Sequence, residues 1–115
     1  MSGLDLYLEL KEKTALLDKA ISLLPQRGRT FAQAEHDYKV ELAKKILTER
    51  ENGIPVTIIS DICRGSSVIA KKRFERDVAE VMYDSAKEAI NSYKLQLRLL
   101  EGQIQRDWGQ SERIC

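Results

Sequence analysis

The stretch that decides the fold runs from Ser66 to Trp108 and is SSVIAKKRFERDVAEVMYDSAKEAINSYKLQLRLLEGQIQRDW. No proline interrupts it, and its apolar residues recur at steps of three and four, as they do on one face of an α-helix. This apolar stripe consists of Met82, Ala86, Ala89, Tyr93, Leu97, Leu100, Ile104 and Trp108. The pattern predicts one long amphipathic helix over residues 66–108.

A helix of this length constrains the shape of the molecule. At 1.5 Å per residue it is roughly 60 Å long, whereas a compact domain of this size has a radius of gyration of about 13–14 Å. Because the helix is too long for a globule made by one copy, we expect an all-α, elongated antiparallel hairpin or bundle that needs a partner. A second copy is the simplest partner. The apolar stripe from Met82 to Trp108 is therefore the predicted homo-oligomer interface.

A first helix is predicted over residues 1–24, where apolar residues again recur at steps of three and four. Ser2 and Asp5 have the spacing of a capping box at its start. Pro25 is expected to end this helix, because proline disfavours helical geometry in the residue before it. Residues 25–29 then form a short basic linker.

A second helix is predicted over residues 30–52. Thr30 and Gln33 again have capping-box spacing, and Asn52-Gly53 supplies a stop, since glycine readily takes the left-handed conformation just past a helix end. Residues 54–65 are expected to form an elbow with a short helix from Pro55 to Cys63. Residues 109–115 are expected to be a frayed tail, and residues 1–115 a single helical domain.

Within the elbow, the apolar residues are expected to close the end of the bundle. These residues are Ile58, Ile59 and Ile62. Cys63 lies among them and is predicted to be a small buried hydrophobe. Gly65 is expected to end the short helix, and Ser66 or Ser67 to cap the long one.

Composition limits the classes of function. The chain has 115 residues, of which 43% are hydrophobic, enough for one core. Its 19 basic and 18 acidic side chains give a net charge of +1, so the whole-chain charge does not favour nucleic acid or membrane. It lacks an apolar run of about 18 residues and a signal-peptide pattern. We therefore expect a protein of the cytoplasm that does not bind membranes.

Catalytic and metal-binding patterns are lacking. The single histidine, His36, has no partner at metal-ligand spacing and is expected to face solvent. The sequence contains no GxSxG motif, no phosphate-binding glycine loop and no paired cysteines. Asp77, Glu80 and Asp84 have the spacing of one helix face, which fits a divalent cation but fits a solvated surface equally. The sequence predicts no enzyme, no cofactor and no metal.

The clearest local signal is basic charge at the elbow. Between residues 64 and 76 five basic side chains stand against Glu75 alone, for a local charge of +4: Arg64, Lys71, Lys72, Arg73 and Arg76. They surround a helix start, where free amides and the helix dipole favour an anion. The predicted anion site is Arg64, Gly65, Ser66, Ser67, Lys72 and Arg76. Alternatively, the serines only cap the helix and the cations are solvated or pair with Glu49 and Glu51.

The same elbow has the outline of a helix-turn-helix motif, in which a second helix reads DNA. Asp61 and Arg64 stand where such a motif usually has a small residue and a buried aliphatic one, and Ser66 replaces an apolar residue. A recognition helix of some forty residues is also unusual. DNA is therefore the less favoured partner.

Several segments together resemble a group of small helical proteins encoded by phages and prophages of Gram-positive bacteria. They are YKVELAKKIL (38–47), GIPVT (53–57), Arg64-Gly65 and YDSAKEAI (83–90). The resemblance covers residues 30–108 and implies a phage origin, a helical fold and the cytoplasm of a host cell. It brings no catalytic or binding residues.

Three functions follow as expectations. The first is a non-enzymatic accessory or anti-defence protein that captures a nucleotide-type anion or blocks a host protein. The second is a nucleic-acid-binding accessory in phage replication or recombination, and the third is a structural coiled-coil assembly protein.

Overall fold

The computed structural model describes residues 3–114, with side chains to residue 110, and within this range the chain is all helix and turn. Its helices are α1 (Gly3–Glu51), α2 (Val56–Arg64) and α3 (Ser67–Ile114). The expected all-α class and the long C-terminal helix are thus confirmed. The predicted cap by Ser2 lies outside the described residues.

The predicted break at residues 25–29 is wrong, because α1 continues through it and contains Pro25. A proline inside a helix cannot donate to the carbonyl four residues earlier, which costs about 3 kcal/mol relative to alanine. Thr30 does not cap a new helix: its Oγ1 donates to the carbonyl of Gln26 at 2.9 Å. The Gln33 amide likewise turns to Asp37, at 2.9 Å. Helix propensity is a weak local preference that tertiary packing overrides here.

The end of α1 follows the sequence prediction. Gly53 has φ +84°, the left-handed conformation. Its N–H donates to the carbonyl of Arg50, and the N–H of Ile54 donates to that of Glu49, both at 3.1 Å. This pair of bonds is a Schellman motif, which satisfies carbonyls that the helix end leaves without partners.

The turn between α2 and α3 is partly as predicted. Gly65 ends α2, but with φ −80°, so no left-handed conformation is involved; its N–H donates to the Asp61 carbonyl at 3.0 Å. Ser66 caps α3 as expected, since its Oγ accepts from the N–H of Ile69 at 3.4 Å. At its other end α3 extends to Ile114, so the predicted tail from residue 109 is helical up to that point.

The described chain forms two compact units, and the single helical domain predicted for residues 1–115 stays a prediction. One unit combines residues 3–25 with residues 85–114, and the other is residues 26–84. Leu6 and Ile90 are the buried apolar side chains of the first unit. A hairpin or bundle arrangement of the whole chain, and its oligomerisation, stay predictions.

The unit of residues 26–84 has the larger set of buried side chains. They are Tyr38, Ile59, Cys63, Ile69 and Ala79. Between α1 and α3, the Arg76 guanidinium lies 4.7 Å from the centroid of the Tyr38 ring. The rings of Phe31 and Tyr83 lie 6.2 Å apart. Because Phe31 precedes Tyr38 while Tyr83 follows Arg76, the two helix segments run in opposite directions within this unit.

The short helix α2 packs by one face. Ile59 is 3% exposed and Cys63 is fully buried, and the two are one helical turn apart. This confirms Cys63 as a buried small hydrophobe. Ile58 and Ile62 were expected inside as well, but they are 46% and 43% exposed, because they project from another face of the same helix.

Gly28 lies in the middle of α1, where the Tyr83 ring leaves little room for a side chain. A Cβ added there would lie 3.2 Å from Cε1 of Tyr83.

We expect Gly28→Ala to destabilise the native chain, because the Tyr83 ring must move while Phe31 lies beside it. In a Tyr83→Leu background the same change should stabilise by about 1 kcal/mol, the helix preference of alanine over glycine. Urea unfolding of the four variants measures both effects, and a stabilising Gly28→Ala in the native chain would contradict the close approach.

Candidate functional site

The amino end of α3 faces α1 across a groove. This groove has a volume of about 410 Å³, and its lining residues are Glu41, Lys44, Lys45, Thr48, Ser66, Ser67, Val68 and Ile69. Two predicted anion ligands, Ser66 and Ser67, thus lie beside two lysines that the sequence reasoning missed. The lysines are distant in sequence from the serines, so no local pattern joins them.

The charges in this groove are largely compensated. Nζ of Lys45 lies 3.0 Å from a carboxylate oxygen of Glu49, and Nζ of Lys44 lies 3.7 Å from one of Glu41. Glu49 was expected, as the alternative, to pair with the elbow cations, and its partner is Lys45 instead. A groove in which each lysine has a glutamate neighbour offers an incoming anion little net attraction.

Arg76 contacts Tyr38 of α1 and Asp77 of its own helix. Its guanidinium stacks on the Tyr38 ring and its Nη2 lies 2.8 Å from Oδ1 of Asp77, with only 22% of the side chain exposed. The hydrogen bonds that Arg76 donates to the Asp77 carboxylate raise the pKa of Arg76 further above its usual value. Stacking of a guanidinium on an aromatic face stabilises the folded state by about 0.5–2 kcal/mol.

The remaining cations of the predicted site are Arg64 and Lys72, and Lys71 and Arg73 are the other basic residues of the same segment. Lys72 lies 3.9 Å from Glu75 on its own helix. Arg64, Lys71 and Arg73 are exposed. Ser66 and Ser67 border one groove and Arg76 stacks on Tyr38, and the anion site as a whole stays a prediction.

The pKa of the Asp37 carboxyl is lowered by the hydrogen bonds around it. The amide of Gln33 donates to its carboxylate and, with a smaller contribution from His36, lowers the pKa of Asp37 below its usual 3.8. A lowered folded-state pKa gives stability that is present above the unfolded-state pKa and is lost as the pH falls through the folded-state pKa. Any contribution of Asp37 is thus complete at neutral pH and is lost progressively as the pH falls from about 4 through the lowered folded-state pKa.

We expect Gln33→Ala to raise the pKa of Asp37 toward 3.8, because it removes the largest cause of the shift. Titration of the carboxyl carbon by NMR measures this pKa. Gln96→Ala is the matched control, since that amide donates to Ser92 and not to a carboxylate. An unchanged Asp37 pKa in Gln33→Ala would contradict the assignment.

Metal and histidine chemistry gain no support in the described range. Residues 3–110 contain no group of three or more histidine, cysteine, aspartate or glutamate side chains placed to hold a metal ion. The row Asp77, Glu80 and Asp84 is exposed along α3. The side chain of His36 is exposed as predicted, with Nδ1 3.4 Å from Asp37.

The predicted oligomer stripe of α3 is partly buried within the single chain. Six of its members are half-buried in the single chain: Ala86, Ala89, Tyr93, Leu97, Leu100 and Ile104. They belong to the unit of residues 3–25 and 85–114, in which Leu100 and Leu6 line one groove. Met82 and Trp108, at the ends of the stripe, are exposed. The single chain thus already covers much of this stripe, and its role as an oligomer interface stays a prediction.

A different apolar row of α3 is left open to solvent. Its members are Phe74, Val78 and Val81 in the unit of residues 26–84, and they are between 45% and 67% exposed. In the other unit, Leu95 and Leu99 are 55% and 65% exposed. Phe74, Val78 and Met82 also border a groove of about 270 Å³ next to Arg27 and Thr30 of α1. Exposed apolar side chains in a regular row are typical of protein interaction surfaces. Sequence reasoning missed this row because the half-buried stripe of the same helix has a similar spacing.

Comparison of the chain with protein-family models, with curated proteins and with solved structures gave no match. Across the described residues, no helix carries a stretch that is both long and apolar enough to cross a membrane. Fold and surface together define a class, an all-helical protein with exposed apolar helix faces.

Proposed function

We propose that this chain is a non-enzymatic protein that acts by binding another protein through an apolar face of α3. The observation that supports this proposal is the exposed row Phe74, Val78 and Val81 in the unit of residues 26–84. Such a row costs free energy in water, about 25 cal/mol per Å² of apolar surface, and a partner that covers it recovers that free energy. The resemblance to phage proteins adds a setting, in which binding blocks a host protein or builds an assembly.

The test is capture of partners by three tagged forms of the full chain: the wild type, Val81→Asp and Leu47→Asp. Val81 and Leu47 are matched, at 62% and 60% exposure, but Leu47 belongs to α1. We expect the wild type and Leu47→Asp to retain the same partner protein and Val81→Asp to lose it. An untagged copy of the chain itself counts as a partner protein. Equal retention by all three forms, or none by any, would refute protein binding through this face.

Capture of an anionic ligand and binding of nucleic acid have less support. The groove at Ser66 and Ser67 brings lysines to a helix start, yet Glu41 and Glu49 lie close to those lysines. Titration with a nucleoside phosphate and with DNA at low salt tests both functions. Phosphate contacts predict affinity that falls steeply as salt is added.

A further inference from the structure

The apolar groove between α1 and α3 lies within the unit of residues 26–84. Phe74, Val78 and Met82 line it at steps of four residues along α3, and they are 67%, 45% and 43% exposed. Buried Ala79 and exposed Thr30 line it as well. Its volume of about 270 Å³ is below the range of typical small-molecule sites, about 300–1,000 Å³. The groove therefore suits one large apolar side chain of a partner better than a whole small ligand.

A polar groove of about 490 Å³ adjoins the apolar one. The two grooves share Thr30, Glu75 and Ala79 as lining residues. Arg27 lines the apolar groove, and Arg29 lines the polar one. We call the two together the composite groove. It combines an apolar surface with two arginines at its border.

The uncompensated charge of the composite groove is positive. Three exposed cations at this groove form no ion pair within the described residues 3–110: Arg27, Arg29 and Lys71. Of these, Lys71 precedes the lining residue Glu75 by one helical turn. The carboxylates of the groove already have partners, since Glu75 lies 3.9 Å from Lys72 and Asp37 accepts from Gln33. An incoming carboxylate therefore meets cations that are not yet paired.

We infer that the composite groove binds an amphipathic helical segment of a partner protein whose apolar stripe is flanked by aspartate or glutamate. This inference rests on the proposed function and states the chemistry of the partner. Amphipathic helices bind apolar grooves through side chains at positions i, i+3, i+4 and i+7. One such side chain enters beside Phe74 and Met82. The flanking carboxylates accept charge-assisted hydrogen bonds from Arg27 and Arg29.

The apolar lining favours a protein segment over nucleic acid. Phosphate groups would pair with the cations but would leave Val78 and Met82 in water. Among the lining residues in the described range, Phe74 is the one aromatic side chain that offers a face to a base. A helix with an apolar stripe and acidic flanks satisfies the cations and the apolar surface together.

The first test measures the binding of two synthetic helical peptides to the purified full chain by fluorescence anisotropy. The peptides share their length and a leucine stripe, and they differ only in having glutamate or lysine at the flanks. We expect the glutamate peptide to bind at least about tenfold more tightly at low salt, because its flanks attract the three cations that lysine flanks repel. Equal affinity for the two peptides, or binding of neither, would overturn the inference.

The second test reverses one charge of the composite groove. Arg27→Glu should weaken binding of the glutamate peptide about fivefold and strengthen binding of the lysine peptide, since attraction and repulsion exchange places. Arg73→Glu is the matched control, because Arg73 is also exposed but lies about 200° around α3 from Glu75. We expect it to bind the glutamate peptide as the wild type does. An Arg27→Glu chain with unchanged preference would contradict the assigned flank chemistry.

The third test fills the groove. Thr30→Phe should weaken binding of the glutamate peptide at least about tenfold, because the new ring occupies the space of the anchoring side chain. Thr14→Phe is its control: both threonines are exposed and each donates to the carbonyl four residues earlier, but Thr14 lies in the other unit. Circular dichroism establishes that both variants stay helical. Equal binding by both variants would refute the groove as the site, and a wild-type dimer that Thr30→Phe dissociates would assign it to a second copy instead.

This inference and the proposed function fail separately. A chain that binds neither peptide, but that captures a protein in a Val81-dependent manner, contradicts the acidic helix and leaves protein binding in place. A chain that binds neither peptide and captures no protein contradicts both.

Discussion

Replacement of Pro25 by alanine should stabilise the protein by about 1–3 kcal/mol. Pro25 lies inside α1, where it removes a backbone hydrogen bond and its ring crowds the preceding turn. Alanine restores the N–H that donates to the carbonyl of Ile21. The gain is reduced by about 0.4–1 kcal/mol, because alanine also allows the unfolded chain more conformations. Urea unfolding at fixed chain concentration measures the net change.

Pro55 provides the matched control. It precedes α2 with φ −57° and ψ 139°, outside any helix. Here alanine restores no intrahelical bond, so only the unfolded-state effect remains, and Pro55→Ala should destabilise by about 0.4–1 kcal/mol. The two substitutions therefore differ in sign. If Pro25→Ala also destabilised the protein, residues 25–29 would be the linker that the sequence predicts.

Truncation of Ile59 should cost about 2–4 kcal/mol of stability. Its side chain is buried beside the fully buried Cys63, and removal of a buried isoleucine side chain loses transfer free energy and leaves a cavity. The next residue along the chain toward the amino terminus, Ile58, is the same residue type but 46% exposed. Ile58→Ala should cost less than about 1 kcal/mol.

This pair of neighbours measures which face of α2 is inside. Both changes replace isoleucine by alanine in the same helix, so helix propensity cancels between them. Thermal and urea unfolding of the two variants give the comparison. Equal losses would show that the three isoleucines close the end of the unit together, as the sequence alone suggests.

The sequence predicted most helices but not the continuity of α1. Pro25 and Gly28 are residues of loops in most contexts, and their proximity made a linker the natural interpretation. The physical role of Gly28 is contact with Tyr83, a residue remote in sequence. A local pattern does not contain that contact, so it does not reveal that the helix continues.

The candidate anion site was likewise predicted from a local sequence pattern, which does not contain contacts between residues remote in sequence. Arg64, Lys72 and Arg76 are close in sequence, but a helix turns by 100° per residue and packing then directs each side chain differently. Arg76 stacks on Tyr38, while the groove at Ser66 receives its lysines from α1. Proximity along the chain does not by itself establish proximity in space, so the anion site stays a prediction.

By itself, the sequence determined the helical class, the left-handed stop at Gly53, a serine cap at Ser66 or Ser67 and the burial of Cys63, because each follows from local backbone chemistry or from polarity. The tertiary structure decided the rest. It joined the two predicted N-terminal helices, it placed Ile59 inside and Ile58 outside, and it half-buried one apolar stripe of α3 while leaving Phe74, Val78 and Val81 exposed. Both stripes satisfy the same periodicity, and only the position of the neighbouring helix determines which one is removed from water.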